Sequence, residues 1–206
     1  MNFSKVIPLL FFALTSGACA APDLSEGDGA RLIYIMRHVD KAAGPENRSP
    51  LPAGYDPDAC VMDTGLNPQG VARAEAVRDE LRDVAFAASF SSPYCRTAHT
   101  AMIVTGIAPT TTLADPANNR AAFMESVAAA AKSAKGPVLL VMHSNWMGAL
   151  FAGHDASIDA PSWAAPQCYG DVRAFRIDGA RWTYAGSFRT AITDRPYFEC
   201  ENGHTE

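Results

Sequence analysis

The sequence predicts an α/β fold, a three-layer α/β/α sandwich built on a mostly parallel central sheet, and three observations carry that expectation. Two short runs of apolar, β-branched and aromatic residues, RLIYIM from Arg31 and VLLVM from Val138, have the length and composition of buried strands. Stretches with helical periodicity alternate with such runs, which is the pattern of βαβ units. A composition of 48% hydrophobic and 19% charged residues over 206 positions supports one ordinary core and excludes disorder, collagen and coiled coil. Neither an internal repeat nor a second-domain boundary divides the chain.

Residues 1–20 read as an export signal ahead of a single domain over 21–206. Met1 and Lys5 give the positive start, Val6 to Thr15 the apolar stretch, and Ala18-Cys19-Ala20 a small-x-small cleavage site. Pro8 argues against a buried first helix, and the run is about half of what a bilayer-spanning helix needs, so no integral membrane segment is expected. A lipid anchor through Cys19 is the alternative. Such cysteines usually follow a bulky aliphatic residue three places earlier, where this chain has Ser16. Export to the periplasm of a Gram-negative cell is the localisation these features suggest.

The strand from Arg31 ends on Arg37-His38. From Ala42 to Gly65 the chain is rich in Pro, Gly, Asp and Asn, as suits a surface excursion or lid. Asn67-Pro68 then opens a helix: Asn caps it, Pro takes the first turn, Val71, Ala74, Val77 and Leu81 face inward, and Arg73, Glu75, Arg78 and Asp79 face out. Phe86 to Phe90 reads as a second strand, Tyr94 to Val104 as a helix, Thr110 to Leu113 as a third strand and Ala117 to Lys132 as a helix stopped by Gly136-Pro137. After VLLVM, His143-Ser144-Asn145 leads into a helix from Trp146 to Ala152. Arg173 to Ile177 and Trp182 to Ser187 form a terminal hairpin around Asp178-Gly179.

Cysteine usage agrees with export. Of five cysteines, Cys19 falls in the signal and Cys60, Cys95, Cys168 and Cys200 remain, enough for two disulfides. Three pairings are open, and Cys168 with Cys200 is favoured because it would tie down the C-terminal tail. None forms a C-x2-C pair, so a structural zinc site is not expected. With 17 basic against 22 acidic residues, net charge -5, the chain has no basic footprint for a nucleic-acid partner. Any anionic substrate must be attracted by local charges.

In sheets of this kind the reactive crevice lies beyond the carboxyl ends of the strands. That rule points to Arg37-His38, to Ser92 through Arg96, and to His143-Ser144-Asn145. Two guanidinium groups and two imidazoles from distant segments would converge there, which suits a phosphoryl group. The forks can hold its oxygens while an imidazole attacks phosphorus in line. A helix beginning after His143 would add backbone N–H groups.

Arg37-His38 after a buried strand, Leu66-Asn67-Pro68-Gln69-Gly70 opening a helix, Ser91 to Thr97 (SSPYCRT) and His143-Ser144-Asn145 after VLLVM together resemble the histidine phosphatase, or phosphoglycerate-mutase-like, superfamily, in family order over about Arg31 to Ala152. The resemblance implies His38 as the nucleophile that becomes phosphohistidine, Arg37, Arg96 and Asn145 as phosphate contacts, His143 as stabiliser of the transferring group, and no metal or other cofactor. The implied substrate is a phosphorylated small molecule or glycan. The Cys60-bearing insertion before Thr64-Gly65 is similar to that of the periplasmic lipopolysaccharide-core heptose phosphatases.

Departures from the family pattern matter too. Val39 stands where Gly or Ala is common and could crowd the site. Asp40-Lys41 replaces Glu-Lys, which makes Asp40 a candidate acid and Lys41 a candidate phosphate contact. Ser144 occupies the place of the acid in the acid-phosphatase branch, and Asp115 and Glu125 join Asp40 as unranked candidates for proton donor. His99, one turn after Arg96, reads as structural in preference to a substrate contact. His154 and His204 read as surface residues.

Rival chemistries find no support. Six positions after the five cysteines stand Ser25, Leu66, Ala101, Ala174 and Glu206, never the Arg of a cysteine-phosphatase loop. There is no G-x-x-x-x-G-K-[ST] loop, no G-x-S-x-G elbow and no H-E-x-x-H. Two alternatives to a phosphomonoesterase remain: a catalytically silent phosphate- or glycan-binding domain that keeps the arginine cage, and a phosphohistidine-protein phosphatase.

Overall fold

The computed structural model describes residues 31–61, 65–153, 158–159, 168–178 and 181–189. The expected signal, with Cys19, and Cys200, His154 and His204 lie outside them. The strands are β1 (Arg31–Arg37), β2 (Ala88–Ser91), β3 (Val138–Met142), β4 (Ile158–Asp159), β5 (Asp171–Asp178) and β6 (Arg181–Arg189). The helices are α1 (Pro68–Glu80), α2 (Cys95–Thr105), α3 (Arg120–Ser133) and α4 (Ser144–Gly153). The strands form one sheet in the order β2-β3-β1-β5-β6-β4.

The period of two along β1 explains the layers. Leu32, Tyr34 and Met36 pack with Ala74, Val77 and Leu81 of α1 and its end and with Ala101 and Val104 of α2. Ile33 and Ile35 point the other way, toward Phe123 and Val127 of α3 and Trp146, Met147 and Leu150 of α4. β3 divides likewise, with Leu139 and Val141 on the first face and Val138, Leu140 and Met142 on the second. Both strands are covered on both sides, so their apolar runs are continuous and do not alternate with polar residues. This is the expected three-layer α/β/α sandwich.

The sheet is mixed. β2, β3 and β1 run parallel, whereas β5 pairs antiparallel with β1 and with β6. The expected hairpin therefore extends the sheet past β1.

Other expectations need correction. Thr110 to Leu113 is not a strand: Thr110 makes one isolated bridge to Phe90, after which the chain turns inward and buries Leu113. α3 begins at Arg120, not Ala117, because Asp115 holds the preceding turn. Its Oδ1 accepts the Ala117 N–H at 2.9 Å and its carbonyl accepts from Asn118 and Asn119 at 3.2 and 3.1 Å. Asn119 then caps the helix through the Ala122 N–H at 3.1 Å. β2 starts at Ala88, leaving Phe86 to meet Tyr34 edge-on at 5.2 Å. Arg73, expected to face out, is buried because its Nε donates to Asp40 Oδ2 at 2.6 Å.

Residues 42–61 carry two single turns of 3-10 helix, Pro45–Asn47 and Pro57–Ala59, and are fastened at both ends. Ala42 N donates to Gly65 O at 3.1 Å, and Val61 bridges Tyr94. A disulfide joins Cys60 to Cys95. Among the described residues no helix is long and apolar enough to cross a membrane.

Candidate active site

Three neighbouring parallel strands deliver the reactive residues. His38 N donates to Met142 O at 3.0 Å and Ser92 N to Val141 O at 3.2 Å, so the ladder continues one step past the strands and sets Ser92, His143 and His38 side by side. The segment after β1 is then stitched to the start of α1. Asn67 caps α1 through the Gly70 N–H at 2.7 Å, and it binds Asp40 O and Lys41 O at 3.2 and 3.1 Å. Gly70 is required there, because a Cβ would collide with the Asp40 carbonyl oxygen. Asn67 and Gly70 thus fix the backbone beside His38.

His38 is 2% exposed, and its ring meets that of His143 at 5.3 Å between centroids. Its Nδ1 lies 2.8 Å from Val39 O. A carbonyl only accepts, so Nδ1 carries the proton and Nε2 keeps its lone pair. Burial holds the His38 imidazole well below its ordinary titration range, against a contrary push from the Val39 carbonyl, and the neighbouring His143, Arg37 and Arg96 act with burial. The ring is neutral and nucleophilic at neutral pH.

Arg37 ends β1. Its Nη2 donates to the Tyr169 hydroxyl at 3.1 Å, and its Cζ lies 4.2 Å from that ring's centre. Arg96, in the first turn of α2, sits 4.8 Å over the Tyr94 ring and places Nη2 3.3 Å from His143 Nδ1. The other side of His143 faces Ser92, with Nε2 2.9 Å from Oγ, and Trp146 packs on the ring edge at 5.0 Å. The structure therefore brings together Arg37, His38, Arg96 and His143.

The remaining candidates have other surroundings. Asp40 is engaged by Arg73, Asp115 holds the turn before α3, and Glu125 is exposed on α3. Lys41 pairs through its backbone with Leu66. Asn145 is exposed in the first turn of α4, among the N–H groups that intrahelical carbonyls do not reach. Val39 does not crowd the site: it is 0% exposed in the core under α1 and α2.

His99 is structural in its surroundings. It is buried, meets the Tyr55 ring edge-on at 4.9 Å, and sits 4.0 Å from Cys60 Sγ. Burial first, and then the Arg48 charge, lower its pKa to about 4. With Cys60 and Cys95 it forms a cluster at metal-ligand spacing, but both sulfurs are consumed in the disulfide. Cys168 is also disulfide-bonded, while its expected partner Cys200 lies outside the described residues.

Sequence reasoning missed Tyr169, Ser92 and Thr97. Tyr169 comes from a segment with no strand or helix period, just before Gly170, whose φ of 82° turns the chain into β5. Ser92 and Thr97 lie inside the SSPYCRT block, and their hydroxyls are the available signal.

The model of the histidine phosphatase superfamily (branch 1) matches residues 33–117, from β1 to the turn before α3. Phosphoglycerate mutase from Bacillus anthracis superposes with a TM-score of 0.51 at 17% identity, covering 75% of this chain and 91% of that one. YhfR from Bacillus stearothermophilus gives 0.51 at 20% identity, with 76% and 96% covered. A Nakamurella multipartitia protein described as a phosphohistidine phosphatase, SixA, gives 0.52 at 22%, with 81% and 99% covered. These likenesses establish a shared fold. No curated protein matches the sequence.

Proposed function

We propose that the chain, whose residues 33–117 match the histidine phosphatase superfamily model, is an exported, metal-independent phosphomonoesterase working through phosphohistidine at His38. The observation that carries the reading is the tautomer of His38: with Nδ1 committed to Val39 O at 2.8 Å, Nε2 is the nucleophilic atom, set beside Arg37, Arg96 and His143.

In the proposed reaction Arg37 and Arg96 bind the phosphoryl oxygens as charged forks and His143 adds a third contact. His38 Nε2 attacks phosphorus in line, the N–P bond forms, the P–O bond to the leaving group breaks, and the leaving oxygen departs with a proton. Water then attacks the phosphohistidine, the N–P bond breaks, and inorganic phosphate leaves. The source of the leaving-group proton stays among Asp40, Asp115 and Glu125. Of these, Asp40 is the one the structure ties into an ion pair.

Export is supported by the N-terminal pattern and by disulfides at Cys60–Cys95 and at Cys168, which oxidising compartments preserve. The proposed substrate is a phosphorylated small molecule or glycan. The test is hydrolysis of p-nitrophenyl phosphate with EDTA present by the chain from Ala21 and by His38→Ala. EDTA-resistant turnover lost in the variant is expected. Turnover that survives the substitution would sink the reading, and phosphate binding without turnover would favour a silent binding domain.

A further inference from the structure

We propose that Ser92, backed by Thr97, is a positioning residue that fixes His143 as its Nε2–H tautomer, leaving Nδ1 as the ring's one basic atom, turned toward Arg96 and an incoming phosphoryl group. Its consequence for catalysis rests on the phosphatase reading above, but the tautomer itself does not. Counting protons fixes the tautomer. A guanidinium only donates, so Arg96 Nη2 at 3.3 Å makes His143 Nδ1 an acceptor. A neutral imidazole then holds its single proton on Nε2 and donates it to Ser92 Oγ at 2.9 Å. Ser92 in turn donates to Thr97 Oγ1 at 2.7 Å, and Thr97 to the Tyr94 carbonyl at 2.6 Å.

The chain of donors runs one way and ends on a carbonyl, which has no proton to return. Ser92 and Thr97 are both 0% exposed, so bulk water does not compete for the hydroxyls. The chain also links the end of β2, the first turn of α2 and the end of β3, which are the segments that bring Arg96 and His143 to the site. When a phosphoryl group draws the Arg96 N–H groups to itself, Nδ1 takes a proton from solvent. The ring becomes an imidazolium with Nδ1–H on a phosphoryl oxygen and Nε2–H still on Ser92. That proton returns to solvent when phosphate leaves. Without the Ser92 hydroxyl, the ring is free to place its proton on Nδ1 and oppose an N–H to Arg96.

The experiment is long-range 1H–15N imidazole correlation on the 15N-labelled chain at about pH 8, above the ordinary imidazole range, with the His143 signals identified by their loss in His143→Gln. The native protein should show His143 as Nε2–H, Ser92→Ala a mixture with a substantial Nδ1–H fraction, and Thr97→Ser, which keeps the hydroxyl, the native pattern. On p-nitrophenyl phosphate, Ser92→Ala should lower kcat by about 10- to 100-fold with little change in KM. Thr97→Val provides the same test should Ser92→Ala fail to fold. A native His143 in the Nδ1–H form would overturn the proposal, as would a Ser92→Ala protein with unchanged tautomer and kcat. The expected tautomers in a protein that shows no turnover and no response to inorganic phosphate would remove Ser92's catalytic role together with the phosphatase reading, while the hydrogen-bond assignment stood.

Discussion

His38 and His99 are both buried histidines, and they differ in what surrounds them. Around His99 stand Tyr55, a disulfide and the Arg48 charge, so the imidazole fills a wall between α2 and residues 42–61. Around His38 two guanidinium groups and a second imidazole converge from three segments, and a backbone carbonyl fixes which nitrogen is presented. Burial lowers the pKa of both rings. Burial therefore does not distinguish a reactive histidine from a structural one, whereas convergent charge and a fixed tautomer do.

The sharpest way to break that contrast is paired substitution. His38→Ala should cost at least about 10³-fold in kcat, while His99→Gln should hold kcat within about threefold. Parity of the two in initial-rate assays would mean that the contrast has no chemical content. Next in size is the disulfide. Cys60 and Cys95 are separated by 35 residues, so replacing both by Ser should remove about 3–4 kcal/mol of stability. Denaturant unfolding would measure it, and an unchanged midpoint would show that residues 42–61 are held by other contacts.

The smallest effect is the pH dependence of the wall. His99 titrates near 4 when folded against an ordinary 6.5, so the unfolded chain takes up its proton first. The contribution of His99 to stability is complete above about pH 6.5 and is lost as the pH falls toward 4. Thermal unfolding of His99→Gln should show a flatter decline than the native chain in that window. An identical decline would place the acid sensitivity elsewhere, with His38 as the first candidate.

Much of this was legible in the sequence because it rests on periodicity. The two-sided apolar runs of β1 and β3, the Asn-Pro start of α1 and the terminal hairpin all follow from local pattern, and strand ends point to Arg37, His38, Arg96 and His143 through a general rule of α/β sheets. What escaped depends on contacts between distant segments. Arg73 is charged and sits among outward positions of α1, and nothing local says that Asp40 will meet it. Thr110 to Leu113 has strand composition, yet it makes one isolated bridge at Thr110 and a single further backbone bond, from Leu113 to Ser91, and no continuous ladder. Spacing left the pairing of Cys60 open, and it emerged only once residues 42–61 were seen to fold back on α2. Tyr169 reaches Arg37 from a stretch with no period at all.

The most direct test of the central claim is to trap the phosphoryl group. The native chain is mixed with a phosphomonoester, quenched in alkali within a single turnover, and the modified peptide and the phosphohistidine isomer are identified by mass spectrometry and 31P NMR. Phosphate is expected on Nε2 of His38, because Nδ1 is committed to the Val39 carbonyl. Phosphate on Nδ1, on His143 or on a serine, or turnover that leaves no phosphoenzyme at all, would contradict it.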